Sequence, residues 1–169
     1  WRDFYVQMSL TFTEVDPKMR LKWAGPTMSA RSSISARLME TWAHGQEIYD
    51  HLSVVRKDGD HIKSIVVLGV NTFEWTYATR SEKPLGPLPY VRLTSPSGLI
   101  WEFGDVSNIN LIEGLASQFC EVVTQVRNVS DTQLRVFGTV AMDWMSKAQC
   151  FAGGPETPPK PGARFRSVK

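Results

Sequence analysis

The sequence predicts an α+β chain in which an antiparallel helical bundle precedes a smaller half built of strands and helices. Three observations carry that prediction. Up to Tyr77 the apolar residues recur at spacings of three and four, the period of one helix face. Residues 81–89 then hold three prolines and one glycine, which breaks the pattern and marks a boundary. Beyond it, short alternating runs come first and helical spacing returns between them, as strands interleaved with helices require.

Taken in order, Trp1, Phe4, Tyr5, Met8, Phe12 and Val15 line one face of a first helix, which Asp16-Pro17 stops. Trp23-Ala24-Gly25-Pro26 predicts a turn. Ser29 or Ser32 then caps a long helix running to about Leu52, with Ile34, Leu38, Gly45, Ile48 and Leu52 as its buried stripe. After the loop Lys57-Asp58-Gly59-Asp60, a third helix runs from His61 to Tyr77 and buries Ile62, Ile65 or Val66, Gly69, Phe73 and Tyr77. Three such helices joined by short loops make a bundle. In the second half, residues 90–95 alternate as a strand, Pro96-Ser97-Gly98 turns, and Leu99, Trp101 and Phe103 share one face of a second strand. Residues 108–112 and 134–137 predict two more strands. Leu115, Phe119, Val122 and Val126 mark one helix, and Val140, Trp144, Met145, Ala148 and Phe151 mark the last. The organisation expected is a helical domain over 1–80, a linker over 81–89, an α+β domain over 90–152 and a disordered basic tail over 153–169.

Composition narrows the function classes. The chain has 169 residues and a formal charge of +2. Four of its cations, Lys160, Arg164, Arg166 and Lys169, follow Ala152 against the single acid Glu156, so the rest is close to neutral and is not the footprint of a nucleic-acid binder. The longest apolar run, residues 65–70, is far short of the ~20 residues of a membrane span. The start, Trp1-Arg2-Asp3, carries no charged-then-apolar leader. Cys120 and Cys150 lie thirty positions apart and form neither a zinc knuckle nor a Cys-x-x-Cys pair; they read as two buried thiols of a cytoplasmic protein.

One stretch carries candidate chemistry. On the long helix Glu40, His44, Glu47 and His51 fall on one polar line. Glu40 and His44, four apart, are surface neighbours whose carboxylate and imidazole can reach a common point and supply two ligands to a divalent metal. Spacing alone favours a solvated charged face with weak ion pairs, and a catalytic zinc normally takes three protein ligands. Arg127 and Arg135 could each clamp a substrate carboxylate, but their residue type and positions favour surface salt bridges. Ser29, Ser32, Ser33 and Ser35 read as capping residues, His61 as a helix-end residue, and Gly104, Gly114 and Gly138 lack phosphate-loop spacing.

Two runs, 23–32 (Trp-Ala-Gly-Pro-Thr-Met-Ser-Ala-Arg-Ser) and 36–47 (Ala-Arg-Leu-Met-Glu-Thr-Trp-Ala-His-Gly-Gln-Glu), resemble an actinobacterial family of DinB-like metal-binding proteins related to the mycothiol-dependent maleylpyruvate isomerases and often labelled wyosine base formation domain proteins. Residues 68–72, 93–101, 119–125 and 148–153 extend the resemblance to about Pro155. It implies a four-helix DinB-like bundle, truncated here, followed by a sterol-carrier-protein-like α+β domain. It also implies a divalent metal, zinc in many members, held by an early histidine and a Glu-x-x-x-His pair that Glu40 and His44 match, facing the bundle interior. The chain would then begin inside the family's third helix, without the first histidine, leaving His51 or Glu47 as substitutes. A low-molecular-weight thiol such as mycothiol and a C-terminal arginine, for which Arg127 is the candidate, complete the implied chemistry.

Three functions follow as expectations. The first is a metal- and thiol-dependent isomerase or transferase in its complete form, acting on a small molecule. The second is a non-catalytic module whose α+β half offers a groove to an apolar ligand. The third is a role in tRNA base modification, which the neutral body disfavours. A bundle short of helices should also expose apolar residues among Trp1, Phe4, Tyr5, Met8 and Trp42 and form homodimers or aggregate.

Overall fold

The computed structural model describes residues 1–22 and 27–164; the turn expected at 23–26 lies outside the described residues. The elements are α1 (Arg2–Glu14), β1 (Arg20–Leu21), β2 (Met28–Ser29), α2 (Ala30–His51), a 3-10 turn (Asp60–Ile62), α3 (Lys63–Asn71), α4 (Phe73–Ala78), β3 (Tyr90–Thr94), β4 (Ile100–Phe103), β5 (Leu111–Leu115), α5 (Ala116–Val123), a 3-10 turn (Val129–Asp131), β6 (Arg135–Phe137) and α6 (Thr139–Met145). Helices lead and a mixed sheet follows, the predicted α+β class.

α1 forms where the apolar period predicts it, yet none of its residues is buried. The helical core is α2 against α3. Ser29 caps α2, its hydroxyl accepting from the Ser32 N–H at 3.1 Å. The 22 residues of α2 span about 33 Å, and their buried line is Ala30, Met39, Trp42 and Gln46. The stripe expected through Ile48 and Leu52 is corrected: these are 64% and 59% exposed. The reason is the segment after the helix, which returns to hold Trp42. The indole N–H donates to Asp58 Oδ1 at 2.8 Å, and the Arg56 guanidinium donates to the Trp42 carbonyl at 2.6 Å while lying 4.7 Å above the ring.

The single third helix expected over 61–77 is divided at Thr72, whose hydroxyl donates back to the Leu68 carbonyl at 2.8 Å. Its predicted inward positions, Ile62, Ile65, Val66, Gly69, Phe73 and Tyr77, are all buried. Gly69 is where α3 meets α5: a Cβ there would stand 2.9 Å from Val123 Cγ2 and 3.1 Å from Phe119 Cε1.

The sheet has the order β4-β3-β5-β6, with β3 parallel to β5 and the other pairs antiparallel. Val91, Leu93, Trp101 and Ile112 are buried on its core face. The opposite face carries a charged ladder in which Arg92 meets Glu113 at 2.6 Å and Arg135 meets it at 2.7 Å. The third strand begins three residues later than expected, because the Ser107 hydroxyl accepts from the N–H groups of Ile109 and Asn110 and makes a turn there. Leu115 therefore ends a strand rather than opening a helix. Gly138 has φ +93° and leaves no room for a Cβ against the Ile109 carbonyl, which lets Asn110 Oδ1 accept from the Val140 N–H at 2.9 Å at the start of α6. The last helix stops at Met145, six residues before Phe151. Ala148 and Cys150 are buried by the chain beyond it, where the Cys150 N–H donates to the Val123 carbonyl at 2.9 Å.

One apolar cluster runs through α2, α3, α4, the sheet, α5 and α6, and Leu88 from the 81–89 segment packs against it. Over residues 153–164 the tail holds no helix or strand and hydrogen-bonds to the body. The Arg80 guanidinium donates to the Glu156 carbonyl, Asn128 Nδ2 to the Pro159 carbonyl at 2.8 Å, and the Gly162 N–H to Asp131 Oδ1 at 2.9 Å. Residues 165–169 lie outside the described residues. No helix among the described residues is long and apolar enough to cross a membrane.

Candidate functional site

A cleft of about 470 Å³ opens along α2, within the size range of small-molecule sites. Its floor and walls come from four places in the sequence: Met28, the α2 face Ser33–Ala36–Arg37–Met39–Glu40, Leu68 to Trp75 across the α3–α4 break, and the segment 150–152. Its far lip is fixed by the Trp75 indole N–H, which donates to the Phe151 carbonyl at 3.1 Å. Behind it, Thr76 Oγ1 accepts from the Gln149 N–H at 3.1 Å. The Gln149 side chain reaches the Gly154 carbonyl at 2.9 Å, so the segment that closes the cleft is anchored on both sides.

Glu40 lines the cleft, and its Oε2 lies 3.4 Å from His44 Nε2. Helical spacing brings the two together as expected. Their expected orientation is corrected: the side chains are 54% and 78% exposed, because Met39 and Trp42 take the inward line of α2. Glu47 pairs instead with Arg164 at 3.4 Å, and His51 is exposed at the last position of α2. Among the described residues no three His, Cys, Asp or Glu side chains gather as a metal group. The donor set is thus two converging ligands where a catalytic zinc takes three, and the described residues alone do not fit a closed metal site.

Arg127 is mostly buried, away from the residues that line the cleft. Its Nη2 meets Asp50 Oδ1 at 2.6 Å and its Nη1 donates to the Val126 carbonyl at 3.0 Å. Gln46 Nε2 donates to the same Asp50 oxygen at 3.0 Å. This guanidinium ties the end of α2 to the end of α5. Arg135 is exposed in the sheet ladder, and His61 sits in the first 3-10 turn.

Both cysteines are free and buried, as the sequence suggests. Burial pushes the Cys150 thiol far up, and the Glu40 charge adds to it; burial likewise holds Cys120 well above the usual thiol range. Cys150 lines the cleft as a protonated thiol and is not an activated nucleophile.

Sequence reasoning missed Arg37 and Trp75. Arg37 lies one turn before Glu40 in the 36–47 run, so helical spacing could have found it. Trp75 becomes a wall only through its bond to Phe151, 76 residues away, and no local signal marks it.

Residues 1–49 match the family model described as the mycothiol maleylpyruvate isomerase N-terminal domain. Two curated Mycobacterium tuberculosis proteins, from strains CDC 1551 / Oshkosh and ATCC 25618 / H37Rv and each named an uncharacterized protein, are 37% identical to this chain over 155 residues. Each alignment covers 92% of this chain and 60% of the relative, so the chain spans less than two thirds of the length of these relatives. No solved structure matches.

Proposed function

We infer that the chain is part of a mycothiol maleylpyruvate isomerase-like protein, that the cleft along α2 is its small-molecule site, and that Glu40 and His44 contribute two ligands to a divalent cation, zinc by donor type. The complete protein is then a thiol-dependent isomerase or transferase. One observation carries the reading: the family match ends at residue 49 and so includes the two donors that converge at the rim of the cleft.

A calorimetric zinc titration of the 169-residue chain at neutral pH tests this. Two donors from one helix leave the remaining positions to water, so weak binding is expected, lost in Glu40→Ala and His44→Ala and kept in His61→Ala. Tight one-to-one binding that survives Glu40→Ala would overturn the assignment.

A second reading, a non-catalytic binding module, is favoured by one specific feature. Burial pushes the pKa of the cleft's thiol up and Arg127 is engaged with Asp50, so neither is poised for thiol-dependent chemistry at the cleft.

A further inference from the structure

The geometry points to the cleft as a binding site for a monoanionic amphiphile, an apolar body with a single carboxylate head held by Arg37. This rests on reading the cleft as the small-molecule site and is independent of any metal.

The walls decide the body. Met28, Met39, Leu68, Trp75 and Phe151 present apolar surface, and the polar atoms among them already have partners. The Thr72 hydroxyl donates to the Leu68 carbonyl at 2.8 Å, and the Trp75 indole N–H is taken by Phe151 at 3.1 Å. The Cys150 thiol, held protonated, adds a weakly polar surface. A polar ligand would lose its water here without replacement hydrogen bonds, which costs free energy for every group buried. An apolar body does not incur that cost, and about 470 Å³ accommodates a chain or ring system of about ten carbons.

The rim decides the head. Arg37 lines the cleft and is exposed, and among the described residues it has no hydrogen bond or ion pair. By contrast, Arg56, Arg92, Arg127 and Arg135 are all engaged with carboxylates. The Ser33 hydroxyl, one helical turn away on the same face, also has no partner among the described residues. A guanidinium and a hydroxyl four residues apart form a head subsite that suits a carboxylate, which Arg can bind through two parallel hydrogen bonds.

Glu40 sets the charge limit. It stands one turn beyond Arg37 at the other end of the same lining face, turned toward His44. A second carboxylate on the ligand would have to lie against the apolar walls or beside Glu40. Both placements are unfavourable, so the site selects one negative charge rather than two.

Calorimetry of the 169-residue chain in EDTA, with decanoate, 1-decanol and decanedioate as probes, tests this without metal. Decanoate should bind one-to-one, with 1-decanol and decanedioate each at least tenfold weaker. Arg37→Gln should bring decanoate down to the level of 1-decanol and leave 1-decanol unchanged. Ala36→Trp, which fills the cleft, should remove both, with thermal melting reporting whether the fold is kept; the exposed Arg37→Gln carries the test where it is not. Absence of saturable decanoate binding, equal affinity for decanoate and 1-decanol, or indifference to Arg37→Gln would overturn the inference. Because EDTA is present throughout, these results stand apart from the zinc titration, and either reading can fail alone.

Discussion

On its inner face α2 buries Met39, Trp42 and Gln46: Met39 packs in the core, Asp58 and Arg56 hold Trp42, and Asp50 one turn on holds Gln46. On the other side the same helix presents Glu40, His44 and Ile48 to solvent, with Leu52 exposed just past its end. Trp42 has an indole partner in Asp58 and a cation over its ring, whereas Ile48, six residues later, touches water over most of its surface. Two faces of one helix, with the same backbone and similar apolar content, thus differ in commitment. The inner face fixes the fold, and the outer face with the adjoining rim holds Glu40 and His44 and, beside them, Arg37 and Ser33.

Substitution on the inner face should be the largest perturbation. Trp42→Ala removes a fully buried aromatic together with the site that organises Arg56 and Asp58. A loss of about 3–5 kcal/mol is expected in urea unfolding. A loss below about 1 kcal/mol would mean that the loop 56–58, not the helix, carries the packing.

The pair that joins α2 to α5 comes next. Arg127→Met leaves Asp50 without its cation in a setting where both side chains are largely shielded, and a loss of about 2–3 kcal/mol is expected. Combining it with Asp50→Leu should recover most of that loss, since no unpaired charge then remains. If Arg127 served a ligand instead, Arg127→Met would leave the melting curve in place and weaken only ligand binding.

These two residues show what was legible in the sequence. The stripe from Ile62 to Tyr77 could be read because every predicted position is buried, with Gly69 against α5 and Phe73 and Tyr77 against Trp144 and Asp143 of α6. The α2 stripe was misread because periodicity weighs Ile48 and Leu52 as apolar and Gln46 as polar. It cannot see that Asp58 and Arg56 return to hold Trp42, or that Gln46 finds Asp50 at 3.0 Å. Glu40 and His44 were legible because their contact is a property of the helix itself. The cleft was not, since Met28, Leu68 and Phe151 meet only after the chain has closed. Nor was Arg127's role, whose partner lies 77 residues away.

The two thiols give a destabilising effect that is absent at neutral pH and grows with alkalinity. Their folded pKa values are raised above the ordinary value of 9.0 by burial, so the folded chain keeps protons that the unfolded chain releases. Their contribution is therefore fully present below about pH 9 and declines as the pH rises above it, by about 1.4 kcal/mol per unit for each thiol. Urea unfolding at pH 8, 9 and 10 measures the slope, which should flatten when both are replaced by alanine. At pH 8 Ellman's reagent should label neither thiol in the native chain and both in denaturant.

The outer face should yield the smallest change in stability and a clear change in assembly. Trp1 is 93% exposed and α1 has no buried residue, while Ile48 and Leu52 form a second uncovered apolar strip. Apolar area of this extent promotes association, because joining two such surfaces removes both from water. We therefore expect the wild-type chain to sediment as a dimer. Ile48→Glu with Leu52→Glu should shift it toward monomer while moving the unfolding free energy by no more than about 0.5 kcal/mol once self-association is accounted for, as surface substitutions do. The measurement is sedimentation velocity across a concentration series, with urea unfolding alongside. A wild-type chain that is monomeric at every concentration would show that the strip is tolerated in water. A dimer untouched by the double substitution would place the contact on α1 instead, where Phe4→Ser is the variant that should then dissolve it.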